Sequence, residues 1–227
     1  MDRTYTLAID TSAGIALGLA EKDRIVASFS DHLSNAHVER LQPMIDQMMS
    51  EYGISHEQIE RIVVGIGPGP FTGLRIGIVT AKTLSYIWKV PLIAVSSLDA
   101  LALSCRGIAQ GDEFIVATDA RRREVYWARY RHGRRCEGPE VDSPNRLSGL
   151  IYGPAVEVYQ ELAPGDLSGE RVMWIDGGIL AAHVDELEAV DPEPCYLRQP
   201  DAVVATTRKS ALGQRRLPLP PVMHKAH

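Results

Sequence analysis

Short apolar runs cut by polar turns alternate along this chain with longer stretches of helical period. TYTLAID (Thr4 to Asp10), IALGLAE (Ile15 to Glu21) and IVASFS (Ile25 to Ser30) predict a strand, a hairpin and a third strand. Val38, Leu41, Ile45, Met48 and Tyr52 then recur at steps of three and four, which is one face of a helix. Ser34 or Asn35 can cap its start, and Gly53 followed by Ile54 can end it in a Schellman turn. Pro43 inside it removes an amide donor and is expected to loosen one turn. A mostly β-branched run, Ile62 to Ile66, next meets Gly67, Pro68, Gly69 and Pro70, and a helical pattern opens at Thr72.

The middle of the chain repeats this order. EFIVATD (Glu113 to Asp119), the turn ARRR, EVYWARY (Glu124 to Tyr130), the turn RHGRR and a polar strand candidate follow one another. In both places a strand ends in aspartate, a hairpin follows, and another strand candidate opens at a nearly equal offset: RIVVGIG from Arg61 and RVMWIDGG from Arg171. The helical segments NAHVERLQPMIDQMMSEY and LSGLIYGPAVEVYQELA fill the two gaps. The ordered set suggests an internal duplication. It predicts an α/β chain of two related βββαβα lobes facing a cleft, residues 1–104 and 105–200. The stretch 201–227 has little periodic hydrophobicity and is expected to be a disordered tail.

Composition narrows the function classes. A chain of 227 residues with 45% hydrophobic residues can bury a real core, and a net charge of −5 argues against a general nucleic-acid coat. Cys105, Cys136 and Cys195 are odd in number and lack a C-x-x-C pair, so neither a disulfide framework nor a zinc ribbon is indicated. A reducing cytoplasm fits best. No basic-then-apolar leader opens the chain and no apolar run reaches the roughly 20 residues of a membrane span, so no membrane association is expected.

Candidate chemistry is sparse. Amides at the start of the helix after Gly67 and Gly69 can favour an anion, although the spacing fits neither phosphate-loop pattern. Arg75 sits in that first turn, where the helix dipole disfavours a cation and a nearby anion, or Glu39, would offset it. Gly73, Gly77, Ala81 and Ser85 form a ridge of small side chains at four-residue steps; it can pack on its own sheet, on the neighbouring helix or on another chain. Leu74, Ile78, Tyr86, Ile87 and Trp88 lie off the ridge, so this helix is apolar on more than one side. Asp10 and Asp119 end strands facing the cleft; each can hold a hydrated cation or bond the amides of its own turn. Ser12 lacks a nucleophile elbow, and no histidine pair has metal-ligand spacing, so no catalytic triad and no metal are assigned. Arg121, Arg122, Arg123, Arg129, Arg131, Arg134 and Arg135, interleaved with Tyr126, Trp127 and Tyr130, read either as an RNA-contacting group or as an ordinary solvated hairpin.

LAIDTS, HVERLQPMI, GIGPGPFTGLRIGIVTAKTLS, DARRREVYWARY and PCYLRQP together resemble the TsaB (YeaZ) family. The resemblance implies an actin-like ATPase-domain (ribonuclease H-like) fold of two lobes. It implies a noncatalytic subunit that binds and activates TsaD, which transfers a threonylcarbamoyl group to the adenosine beside the anticodon of tRNA. The ATPase TsaE joins the assembly, tRNA is met through the complex, and homodimers form through the same surface when the partner is absent. Partner contacts are thereby expected at His37, Val38, Glu39, Leu41, Ile45 and Met48 of the first helix and at Gly73, Leu74, Gly77, Ile78 and Ala81 of the second. TsaD also carries H-x-x-x-H, where this chain has only His37 with Leu41, so metal chemistry is expected in the partner. Asp10, Thr11, Ser12, Gly67, Gly69 and Arg75 are candidate nucleotide or anion contacts, with ATP or ADP at a subunit junction and no cofactor of the chain's own. Pro70, where the family has a small polar residue, and Arg123, where it has glycine, depart from the pattern. A kinase or ATPase using Asp10, Asp119 and the turns at Gly67 and Gly177 is the alternative, and a metallopeptidase a weaker one.

Overall fold

The computed structural model describes residues 3–32, 37–106, 109, 112–162 and 173–198. The expected caps Ser34 and Asn35 and the tail 201–227 lie outside the described residues. Strands β1 (Tyr5–Asp10), β2 (Ile15–Glu21) and β3 (Arg24–Asp31) form the predicted antiparallel meander. Helix α1 (His37–Glu51) then leads to β4 (Ile59–Gly65), parallel to β1, and α2 (Phe71–Trp88) to β5 (Leu92–Val95), giving the order β3-β2-β1-β4-β5. The predicted Schellman turn closes α1. Gly53 has φ +62, its amide donates to Ser50 O at 3.2 Å, and the Ile54 amide donates to Met49 O at 2.9 Å.

Helix α3 (Ser97–Cys105) precedes a second sheet of β6 (Glu113–Asp119), β7 (Val125–Arg131), β8 (Arg134–Asp142) and β9 (Ile151–Tyr152), ordered β8-β7-β6-β9. Its fourth strand differs from the expectation. Met173 to Asp176 carry no strand, and β9 instead pairs parallel with β6 from inside the segment read as helical. That segment breaks because Gly149 and Gly153 have φ +116 and +107 and Pro154 follows; a Cβ on Gly153 would also lie 2.5 Å from Ala117 O. The short α4 (Ala155–Val158) and a 3-10 turn at Gln160–Leu162 remain helical there, and α5 (Gly177–His183) comes after.

Side-chain alternation sorts the strands into layers. Leu7, Ile9, Leu17, Leu19, Ile62 and Val64 point to one face, where they meet Leu41, Ile45 and Met48 of α1 and Leu74 and Ile78 of α2. Ala8, Ala16, Ala20 and Val63 point the other way, into a core shared with Leu98 and Leu101 of α3, Leu180 of α5 and Phe114, Val116 and Tyr130 of the second sheet. Ile115, Ala117, Val125 and Trp127 face outward under Ala155. Small residues line the inner face because α5 presses backbone on backbone. A Cβ on Gly18 would sit 1.9 Å from the Gly177 carbonyl carbon. The middle layer therefore contains a helix from each half of the chain. Among the described residues no helix is long and apolar enough to cross a membrane.

Candidate functional site

Asp10, at the end of β1, is 1% exposed and accepts from the Ser12 amide at 2.8 Å, Ser12 Oγ at 2.6 Å and Ser97 Oγ at 2.5 Å. Ser97 Oγ accepts from the Gly67 amide at 2.8 Å, and the Ser97 amide donates to Gly67 O at 2.8 Å. Burial raises the Asp10 pKa, opposed by the three hydrogen bonds from Ser12 and Ser97. Asp10, Thr11, Ser12, Gly67 and Gly69 are thus brought together, as a packed knot: a Cβ on Gly69 would lie 2.7 Å from Ser12 O. A carboxylate so enclosed ties two turns to the start of α3. Asp119, at the matching end of β6, also bonds its own turn, accepting the Arg121 amide and the Tyr159 hydroxyl, each at 2.7 Å. Between these ends opens a cleft of about 380 Å³ lined by Ser12, His32, Thr72, Asp119, Arg121 and Trp174. The His32 and Trp174 rings stack in its wall, centroids 4.1 Å apart. No local sequence signal points to that pair, which only the fold brings together.

Arg75 packs against aromatic side chains. Its guanidinium lies 3.7 Å from the centre of the Phe71 ring, and Nε donates to the Tyr196 hydroxyl at 2.9 Å. Tyr196 belongs to a strap, Pro194 to Arg198, that joins the two halves. On one side Tyr196 stacks on Phe71 and the Cys195 amide donates to Ile66 O at 2.9 Å; on the other Arg198 donates to Ala120 O at 2.9 Å and pairs with Glu124 at 2.5 Å.

The expected partner contacts need correction as surface residues. Leu41, Ile45, Met48, Leu74, Ile78 and Ala81 lie inside the chain's own core. Gly73 and Gly77 pack on Thr11, where added Cβ atoms would fall 2.6 Å from its carbonyl oxygen and 2.2 Å from its Oγ1. Thr11 Oγ1 donates to Gly73 O at 2.7 Å, so the small ridge serves the intramolecular contact. Glu39 is exposed, and the side chains of His37 and Val38 lie outside the described residues. What α2 does present is a different stripe. Val79, Tyr86 and Ile87 are 60%, 85% and 62% exposed. Sequence reading noted Tyr86 and Ile87 but missed Val79, which the seven-residue step from Thr72 to Tyr86 would have found.

The family model of TsaD, tRNA N6-adenosine threonylcarbamoyltransferase, matches residues 31–204. An uncharacterized protein of Mycobacterium leprae is 38% identical over 211 residues, 88% of this chain; the chain spans 56% of that relative's length. The tRNA threonylcarbamoyladenosine biosynthesis protein TsaB of Haemophilus influenzae is 32% identical over 87% of this chain and 95% of its own length. Among solved structures, YeaZ from Pseudomonas aeruginosa superposes with a TM-score of 0.69 at 26% identity, over 86% of this chain and all of that one.

Proposed function

This chain belongs to the TsaB (YeaZ) family, whose named members serve tRNA threonylcarbamoyladenosine biosynthesis, and we propose that within that process it is a noncatalytic subunit that binds and activates a TsaD-type transferase. The observation that carries this reading is the stripe of Val79, Tyr86 and Ile87. Three large apolar side chains on α2 stand in solvent, and burying them against a second helical surface would recover roughly 1.5 to 3 kcal/mol each. The enclosure of Asp10 supports the noncatalytic part, since its oxygens already take three donors and are closed to a hydrated cation.

Size-exclusion chromatography with light scattering on the chain mixed with a TsaD homologue tests it. A species holding one copy of each is expected, and V79D/Y86A is expected to abolish it without unfolding the chain. Two unshifted peaks well above about a micromolar, or an unaffected variant, would sink the interface. The same run with the chain alone reads self-association through the stripe, and additions of a TsaE-type ATPase and of ATP read its recruitment and a nucleotide at the junction. Hydrolysis of ATP by the chain alone, lost in Asp10→Ala, would overturn the noncatalytic role in favour of a kinase-like one.

A further inference from the structure

We propose that the cavity between α3, the β7–β8 hairpin and the segment after α5 is a binding site for a small zwitterion of the amino-acid class. It lies apart from the stripe on α2 and from the cleft near Asp119, and its occupation does not depend on the subunit reading. The cavity holds about 560 Å³, a volume in the range of small-molecule sites. It opens at the end of the second sheet opposite to that cleft. Phe114, in its wall, and Asp119 are five positions apart on β6, roughly 17 Å at about 3.3 Å per strand residue.

Asp99 anchors the wall. Every residue of α3 is buried in the core shared by the two sheets, and Asp99, in the first turn, is 7% exposed. A carboxylate so placed needs partners. Tyr130 Oη donates to Asp99 Oδ1 at 2.6 Å, and Arg135 Nε stands 3.7 Å from the same oxygen. Both contacts fall on Oδ1, so Oδ2 keeps acceptor capacity toward the cavity among the described residues. Burial raises the Asp99 pKa, against the Tyr130 hydrogen bond and Arg135, and the charge of Glu188 adds to the rise. Asp99 and Glu188 both line the cavity, and an ammonium group between them is attracted by both. Arg106, Arg134 and Arg135 bring positive charge to the same walls, Arg106 being paired with Glu186. Charge of both signs selects the ligand. A lone anion meets the carboxylates of Asp99, Glu186 and Glu188, and a lone cation meets three guanidinium groups. A molecule carrying both charges sets its ammonium on Asp99 and Glu188 and its carboxylate in the forks of Arg134 and Arg135. Leu103, Phe114 and Leu187 give the cavity an apolar wall, which suits an apolar side chain.

The test is ligand-observed NMR and isothermal titration calorimetry on the full chain, with L-leucine, L-methionine and L-valine as probes. At least one is expected to bind with a Kd of about a millimolar or tighter. Its amide, which lacks the carboxylate, and its N-acetyl derivative, which lacks the ammonium, are each expected to bind about tenfold or more weakly. Glu188→Gln and Arg134→Gln, both at exposed positions, are each expected to weaken binding about fivefold or more, and Arg135→Gln at least as much. Arg146→Gln, outside the cavity, is expected to stay within about twofold of wild type. Circular dichroism melts establish that each variant is folded. No binding of any probe at about 10 mM would overturn the proposal. So would an amide or N-acetyl derivative that binds as tightly as its parent, or unchanged affinity in folded Glu188→Gln and Arg134→Gln.

Discussion

In the first sheet the connection from β3 to β4 runs through the 15-residue α1, and β4 is followed by the 18-residue α2. In the second sheet the same connection from β8 to β9 holds only a 3-10 turn at Pro144–Arg146, and the strand it reaches is two residues long. The three-stranded meanders of the two sheets are alike because hairpin geometry and period-two alternation specify them locally. Their outer layers differ because a long helix needs an uninterrupted apolar stripe. Leu74, Ile78 and Ala81 supply one; Gly149, Gly153 and Pro154 interrupt the other. One half consequently carries a long helix on its outer face, and the other a short helix and turns.

The most severe way to break this comparison is through the layer the halves share. Gly18→Val drives a branched side chain into the α5 backbone and is expected to cost about 3 kcal/mol or more. Both halves should melt together in one lowered transition, followed by far-ultraviolet circular dichroism and by tryptophan fluorescence, Trp127 lying in the second sheet. A fluorescence transition left at the wild-type temperature would mean that the second half folds alone.

Next comes the two-sidedness of α2. Gly77→Ala collides with Thr11 and is expected to lose about 2 kcal/mol of stability, whereas Val79→Ser is expected to stay within about 0.5 kcal/mol while weakening partner binding. Urea unfolding beside a binding titration separates the two effects. If Gly77→Ala left stability untouched, the ridge would not be the intramolecular contact described.

In the second half, the buried Asp99 accepts from Tyr130 Oη at 2.6 Å, and burial raises its pKa. Tyr130→Phe is expected to cost about 1 to 3 kcal/mol, because among the described residues Asp99 then keeps the more distant Arg135. The smallest effect concerns the tie between halves from Arg61 to Asp185, at 2.7 and 2.9 Å. The hydrogen bond from Arg61 holds the Asp185 carboxyl below the usual range. Its contribution is therefore complete above the ordinary carboxylate pKa of about 3.9 and fades as pH falls through the lower folded value. Asp185→Asn should narrow the melting-temperature difference from wild type as pH drops from about 5 to about 3, by little, since the Asp185 carboxylate is well exposed. A difference that grew on acidification would contradict the sign.

The family was legible in the sequence because its motifs lie in continuous stretches, and so were β1 to β3, the Schellman end of α1 and the strand–turn–helix at Gly67. The knot around Asp10 was half legible. Its bond to the Ser12 amide two residues on is a local habit of aspartate, whereas its bond to Ser97 depends on where α3 begins. Which face of α2 is buried was not legible for a physical reason: periodicity finds apolar faces but does not say which of two meets the core. Gly73, Gly77 and Ala81 follow the helical period as well as Val79 and Tyr86 do.

Sequence alone determined the run from β1 through α2, the β6–β7 hairpin, the family, and the residues capable of chemistry, because each of these rests on local propensity or on a contiguous motif. Tertiary structure decided the rest. It chose β9 over the stretch near Trp174 as the fourth strand, turned the small ridge inward onto Thr11, and set Arg75 against the Phe71 ring. It also parted the arginines between the two ends of one strand. These outcomes hang on contacts between residues far apart in the chain, such as Gly18 with Gly177 and Arg198 with Ala120, whose energies do not exist until both halves are folded.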